Sequence, residues 1–493
     1  MEFINECKEY VSYLKKYLFL ILGLYILSEI YIFVKIGKSN IFMFLSSIFI
    51  ILFILCSLFL CFKDFRTTIK IYILSIPIIP IILYIFFRLN MSWIGNGVYW
   101  IYLAVFVING VKALRKNELD FSKISIKRGK YRIYGIVSLI LIGLAIISSG
   151  LSINKLESFS LIGVSLISMV IVSAFILSYK NMDMNFIKTI IAYLCIGVAI
   201  SSIPDIVVAT YSLIFSGKNQ HLYGVLGSNF MLGYTIMVLP FILLYAVNKK
   251  VCTKYNSLFK LLLLIEIINL STQMSRGIVI AVFICFIFVM MLDKKNFIKY
   301  VLVGAVVFSC LGYNVTHRWE FNEIRHEIKI DGIEGIVGEG KGIFKKLMEQ
   351  TKSRRPIWTI ALGMVNDKPY FGVGPGQFKN YYLQYGGKPS RMYIDAHNII
   401  LNVATEVGLI FTLVLFALSV SIFIKSFVFG WKNKKYRHIL FPGAIGMVAL
   451  FLYGNITGQA FITSRYPISI VPTFVFTIVN TILIKTTKEF VGE

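Results

Sequence analysis

Residues 258–292 read LFKLLLLIEIINLSTQMSRGIVIAVFICFIFVMML. Crossing ~30 Å of hydrocarbon takes roughly 20 residues of helix. This stretch is too long for one straight crossing and too apolar for water. Ser275-Arg276-Gly277 divides it into runs of 258–275 and 277–292, which predict two spans joined by a short turn. One long interrupted segment is the other reading. Both put the chain in a bilayer.

The same rule applied outward finds apolar runs near 17–34, 41–62, 69–89, 93–110, 133–150, 159–179, 187–207 and 225–247 before this pair. Runs near 298–313, 399–424, 439–454 and 466–484 follow it. The fold class predicted is all-α: a polytopic membrane protein of about 12–14 transmembrane helices, with a long, partly helical extracytoplasmic loop. Three regions follow. Residues 1–313 hold the N-terminal transmembrane helices and a short outer loop at 208–224, residues 314–398 form the extracytoplasmic loop, and residues 399–493 hold the C-terminal transmembrane helices. The run Tyr17–Val34 lacks a small-residue cleavage site and reads as a retained first helix rather than a signal peptide.

Composition agrees. Of 493 residues, 57% are hydrophobic and 15% charged, well below the ~25% charged of soluble domains. The formal charge of +26 does not point to nucleic acid, because lysine and arginine cluster in short connections between apolar runs. Eight of them, Lys112, Arg115, Lys116, Lys123, Lys127, Arg128, Lys130 and Arg132, share one connection. With the N-terminus in the cytoplasm, the short outward connections hold seven: Lys35, Lys38, Arg88, Lys155, Lys218, Arg276 and Arg465. Thirteen more fall in 314–398, and long loops weigh little in orientation, so the remaining 30 set the topology. Both termini are predicted cytoplasmic, and the long loop outside. The seven cysteines show no paired spacing and no metal motif.

Within the long loop, Phe321–Ile330 carries alternating charges at roughly helical spacing, as on a solvated or interfacial helix. Pro356 opens a helical stretch through Val365, because proline loses nothing at the first helical position. That puts Arg355 at a helix mouth, where a guanidinium and free N–H groups can hold an anion. Gly372, Gly374 and Gly376 end the stretch. They can form a tight turn returning the chain to the membrane or bring backbone against a ligand. They lack the Lys-Ser/Thr continuation of a phosphate loop. Tyr381, Tyr382 and Tyr385 offer stacking surfaces for sugar rings. Asn398, Asn402 and Glu406 recur every fourth residue and form one polar stripe, which should face protein or an aqueous cavity. His397 sits at the rim of that stripe. Glu29, Asp205 and Glu266 lie in or near spans, and Glu29 and Glu266 read as helix–helix partners.

Basic groups and an imidazole at an apolar–aqueous border suit a lipid-linked diphosphate sugar. Guanidinium groups neutralise the charge that grows as the diphosphate leaves, and a histidine accepts the proton of an attacking hydroxyl. Ser275-Arg276-Gly277, Arg355, Trp358, the Asp367–Phe378 run, His397-Asn398 and Glu406-Val-Gly408, in that order, resemble the O-antigen ligase and O-antigen polymerase superfamily. The resemblance is strongest over roughly 220–425. It implies a membrane glycosyltransferase that moves a glycan from undecaprenyl diphosphate to a hydroxyl of a glycan, lipid or protein. It further implies Arg276 and Arg355 as diphosphate-binding arginines, His397 as the general base, one inverting displacement, and neither metal nor other cofactor. Related members carry a basic residue in an earlier outer loop, where this chain has His221, followed by Gly224 and Asn229. His221, Asn229, Asn398, Asn402, Glu406 and Arg465 are substrate-binding or structural candidates. A bacterial plasma-membrane location with an extracytoplasmic site, and partners in polysaccharide assembly, follow from the same resemblance. The rival reading is a transporter or flippase of lipid-linked glycans, which accounts for the embedded acids but not for the long loop. A non-catalytic envelope scaffold is a third.

Overall fold

The computed structural model describes residues 2–36, 41–88, 92–216, 230–271, 276–316, 354–389, 393–457 and 470–488. It is all helical there, and the only strand-like pairing among those residues is one antiparallel bridge, Leu119 with Tyr179. The N-terminal region holds α1 (Glu2–Lys15), α2 (Leu18–Ile36), α3 (Ile41–Cys61), α4 (Phe65–Ser75), α5 (Ile79–Arg88), α6 (Ser92–Arg115) and α7 (Arg132–Gly150). Then come α8 (Lys155–Ile162), α9 (Ser168–Ser178), α10 (Met184–Ser216), α11 (Phe230–Val247), α12 (Asn256–Ser271), α13 (Arg276–Leu292) and α14 (Phe297–Thr316). The segment between α14 and the next long helix contributes α15 (354–367) and the single turn α16 (Phe378–Tyr381). Last come α17 (Ile399–Val407), α18 (Leu409–Lys432), α19 (Arg437–Thr457) and α20 (Ile470–Thr486).

Among the described residues, seven helices are long and apolar enough to cross a bilayer, or up to nine if each sharply bent pair is one span. Shorter apolar helices occur at Ile48–Cys61, Gly233–Val247 and Pro472–Thr486. Prolines occur within spans without ending them: Pro77 lies in a 3₁₀ turn between α4 and α5, Pro204 inside α10, Pro240 inside α11 and Pro442 inside α19. Neighbouring helices can satisfy the backbone groups that such prolines free. The outward faces of α7 and α18 expose Leu139, Ile140, Ile146, Leu413, Phe416 and Ile424, as lipid contact requires. The core lies where α11 packs against α12, α13 and α19, and α10 against α4 and α12. Within it, fully buried Glu266 meets Ser202 at 3.3 Å and Asn269 at 3.0 Å, so its charge-bearing group is hydrogen-bonded rather than bare.

One expected span differs. Residues 399–424 are not continuous: Gly408, at φ +99°, breaks them into α17 and the longer α18. The apolar run hid the break because its first nine residues bury against protein and not lipid.

The connections sort into two sets. In one, Asp64 caps α4 by accepting from Thr67 N at 2.7 Å, and the Lys485 ammonium donates to Leu177 O at 2.6 Å and Tyr179 O at 3.0 Å. In the other, Ser158 Oγ donates to Pro375 O at 2.8 Å, and Lys379 meets Glu157 at 2.8 Å. The partners in each of these contacts belong to the same side of the charge-based topology.

Glu6 organises the lysine-rich set. Its carboxylate receives Lys70 at 2.5 Å, Lys254 at 3.2 Å and the hydroxyls of Tyr10 (2.9 Å), Tyr193 (3.1 Å) and Tyr255 (3.2 Å). This docks the amphipathic α1, bent 77° from α2, across the bundle end. Burial alone would raise the Glu6 carboxyl, but the hydrogen bond and charge of Lys70, with Lys254 and Tyr10, bring it from 4.5 to about 2. A carboxyl lowered in this way stabilises the fold fully above its unfolded value, and that contribution fades as pH falls toward about 2. Glu6→Leu strands Lys70 and should cost ~3 kcal/mol. A lower apparent melting temperature at neutral pH, with a smaller deficit near pH 3, is expected; an unchanged melting temperature contradicts the clasp.

Candidate functional site

The site is built around α17. Asn398 caps its start, its side-chain oxygen accepting from Leu401 N at 2.9 Å. Asn402, one turn on, turns inward and accepts from Ala396 N at 3.1 Å. From α19, Asn455 accepts from Ile400 N at 3.3 Å. These bonds pin the turn Asp395-Ala396-His397, in which His397 has φ +52°. A non-glycine residue there costs ~1–2 kcal/mol and persists only where its surroundings hold it.

The consequence is a histidine with one nitrogen committed. His397 Nδ1 lies 2.5 Å from Asp395 Oδ1, which also accepts from His397 N at 2.9 Å. Asp395 is 3% exposed and His397 half-buried. Asp395 therefore selects the tautomer with the proton on Nδ1 and leaves Nε2 as a lone pair. Tyr393 packs edge-on against the imidazole, centroids 5.3 Å apart.

Arg354 supplies the cation. It opens α15 half-buried, while Arg355 beside it is exposed. Burial lowers the Arg354 guanidinium from its ordinary value, and Asp395, Tyr393 and Tyr453 oppose that shift. Arg354 thus sits within electrostatic reach of the His397–Asp395 pair and of the end of α19. Arg355, the arginine expected at the helix mouth, is its exposed neighbour on the same helix. One residue apart on a helix, the two point ~100° apart, and only the packing of α15 on the 393–397 turn selects between them.

The glycine run lies at the opposite end of α17, roughly 12 Å from His397. Gly372, Gly374 and Gly376 have φ of +66°, +108° and +73°. Val373 N and Gly374 N donate to Thr405 O and Glu406 O, both at 2.9 Å, and Leu409 N donates to Pro369 O at 2.8 Å. The run caps the last carbonyls of α17 and starts α18. Ser148 Oγ adds a bond to Glu406 O at 3.0 Å. A Cβ on Gly372 would lie 2.5 Å from Thr405 O, and one on Gly408 would lie 2.1 Å from Tyr370 O. These glycines serve backbone contact within the protein. Glu406 is fully buried beneath them.

Tyr381 and Tyr382, expected as sugar-stacking surfaces, are instead buried in a small core of the 354–397 segment with Ile357, Met364, Val373 and Phe378. Tyr385 and Tyr393 remain partly open. Arg276 is the first residue of α13, which packs on α19, the helix that brings Tyr453 and Asn455 to the site. The Arg276 side chain lies outside the described residues, as do His221, Asn229 and Arg465. Among the described residues, no three His, Cys, Asp or Glu gather as a metal site would need.

Two glycines with positive φ test this reading. Gly386 has φ +85° and open space around it, so Gly386→Ala should cost only the backbone strain, ~1 kcal/mol. Gly408→Ala must also push Tyr370 away and should cost at least ~3 kcal/mol. Thermal unfolding in detergent compares them, and equal losses would contradict the docking.

Compared with known proteins, residues 261–417 match the O-antigen ligase family model. No curated protein matches the chain. The matched stretch runs from α12 through α15 and α16 into α18 and contains Arg276, Arg354, Asp395 and His397. The match covers part of the chain, and over that stretch the chain is similar to the O-antigen ligase family.

Proposed function

We propose that this protein is a membrane glycosyltransferase, a surface-polysaccharide polymerase or ligase. It moves a glycan from undecaprenyl diphosphate to an acceptor hydroxyl on the extracytoplasmic face. The observation that carries the proposal is the Asp395-oriented imidazole of His397 beside the half-buried Arg354.

In this reading the acceptor hydroxyl lies at His397 Nε2 and gives up its proton as its oxygen attacks the anomeric carbon. The bond from that carbon to the diphosphate oxygen breaks on the far side, inverting the centre. Lipid diphosphate leaves with both electrons. Arg354, with Arg276 at the start of α13, holds the two phosphates and offsets the charge that grows there. Asp395 stabilises the imidazolium while the proton resides on it. The lipid diphosphate is already an activated leaving group, so the step needs no nucleotide. His221 and Arg465 are further candidates for the donor's phosphates or sugar, and Asn398 holds the helix start beneath the base.

Transfer from a lipid-linked oligosaccharide to acceptor, followed by release of lipid diphosphate, tests this. His397→Ala should lower turnover by at least ~100-fold, the usual scale of a general base. Arg354→Ala should lower it by ~100-fold or more and Arg355→Ala by far less. Asp395→Asn should lower turnover while leaving donor binding near the original value. Undiminished transfer in both His397→Ala and Arg354→Ala would overturn the mechanism. Movement of the glycan lipid across the bilayer without bond cleavage would instead favour a flippase.

A further inference from the structure

The connection between α6 and α7 carries Glu118 and Asp120 at its start and then five cations over 121–132, Lys123, Lys127, Arg128, Lys130 and Arg132. It is folded into a fixed flap. Asp120 accepts from Ser122 N at 3.1 Å, Gly129 N donates to Ser125 O at 2.9 Å, and Tyr131 N donates to Lys123 O at 2.7 Å. Phe121 anchors the flap to α9, its ring 5.3 Å from that of Phe175. Gly135 lets α7 approach closely, since a Cβ there would sit 3.2 Å from Ile124 O.

Beneath the flap, α7 and α9 diverge around an open groove of about 500 Å³. Its walls are mostly apolar, among them Ile124, Leu139, Val170, Ala174 and Leu177. From Leu177 to Val170 the groove reaches roughly 10 Å into the membrane half below the flap. Its mouth is polar. Lys127 and Tyr134 line it, and the Lys425 ammonium of α18 stands 5.7 Å from the Tyr134 ring. Among the described residues neither lysine pairs with a carboxylate.

An apolar slot open to lipid, topped by cations from two elements, matches one occupant in both charge and shape. We propose that this groove binds an anionic phospholipid of the leaflet on the lysine-rich side. One acyl chain lies between α7 and α9, and the phosphate rests between Lys127 and Lys425. Cations at a membrane surface attract acidic headgroups, and basic pockets between transmembrane helices hold them in place. The groove ends on the other side of the membrane from His397, so it is a second lipid site, separate from the donor's. By tying the 121–131 flap to α18, the bound lipid would couple the first half of the bundle to the helix that follows Gly408.

The test uses the full-length protein in neutral detergent. Binding and thermal shift are measured with phosphatidylglycerol, with phosphatidylcholine of the same chains, and with inorganic phosphate. Phosphatidylglycerol should be preferred over phosphatidylcholine by about 30-fold, the scale of two surface lysines, with no shift from inorganic phosphate. Lys127→Ser with Lys425→Ser should abolish the preference, and Lys127→Arg with Lys425→Arg should keep it. Ala174→Phe, which fills the slot, should weaken binding of both lipids. Equal affinity for the two lipids, a preference that survives the double serine variant, or a thermal shift reproduced by inorganic phosphate would each overturn the proposal.

Discussion

Everything around His397 depends on two chain segments approaching backbone to backbone at the C-terminal end of a nine-residue helix. Gly408 lies so close to Tyr370, and Gly372 to Thr405 and Glu406, that no side chain fits between them. That proximity lets N–H groups of the glycine run finish the hydrogen bonds that α17 leaves open at its C-terminus. A loop that would otherwise hang outside the bundle becomes a fixed part of it. The first turn of α8 adds further ties, Ser158 to Pro375 and Glu157 to Lys379. The far end of the same helix then presents His397 in a fixed position.

The second constraint is electrostatic. A carboxylate as buried as Asp395 is costly unless charge and hydrogen bonds surround it. Its surroundings are the His397 imidazole and backbone N–H and, by charge, Arg354. The same arrangement that makes Asp395 tolerable fixes the imidazole tautomer and holds a guanidinium nearby. Stability and the proposed chemistry therefore rest on one set of contacts. The lysine-rich face uses a similar device at Glu6, where one partly buried carboxylate gathers two lysines and three tyrosines and clamps α1 to the bundle.

Much of this was readable from residue order. Apolar runs near 20 residues predicted the helices, often to within a few residues, because a bilayer leaves an exposed backbone few other options. The charge pattern grouped the connections as the contacts group them. Pro356 marked a helix that the structure has at 354–367. What stayed hidden was tertiary. The break at Gly408 lies in an unbroken apolar run, since a residue buried by protein and one buried by lipid read alike. Arg354 and Arg355 are equal in sequence, and packing alone turns one inward. Tyr381 and Tyr382 fill a small core that no local pattern announces. Asp395 stood two residues from His397, yet nothing in the spacing shows that its side chain folds back onto the ring.

The most direct measurement is a structure of the protein with undecaprenyl diphosphate bound, determined in a lipid nanodisc. The account predicts the diphosphate between Arg354 and the start of α13, with His397 Nε2 facing the space an acceptor would occupy. A diphosphate held elsewhere, or one contacting Arg355 while Arg354 stays with Asp395 and away from it, would contradict the account.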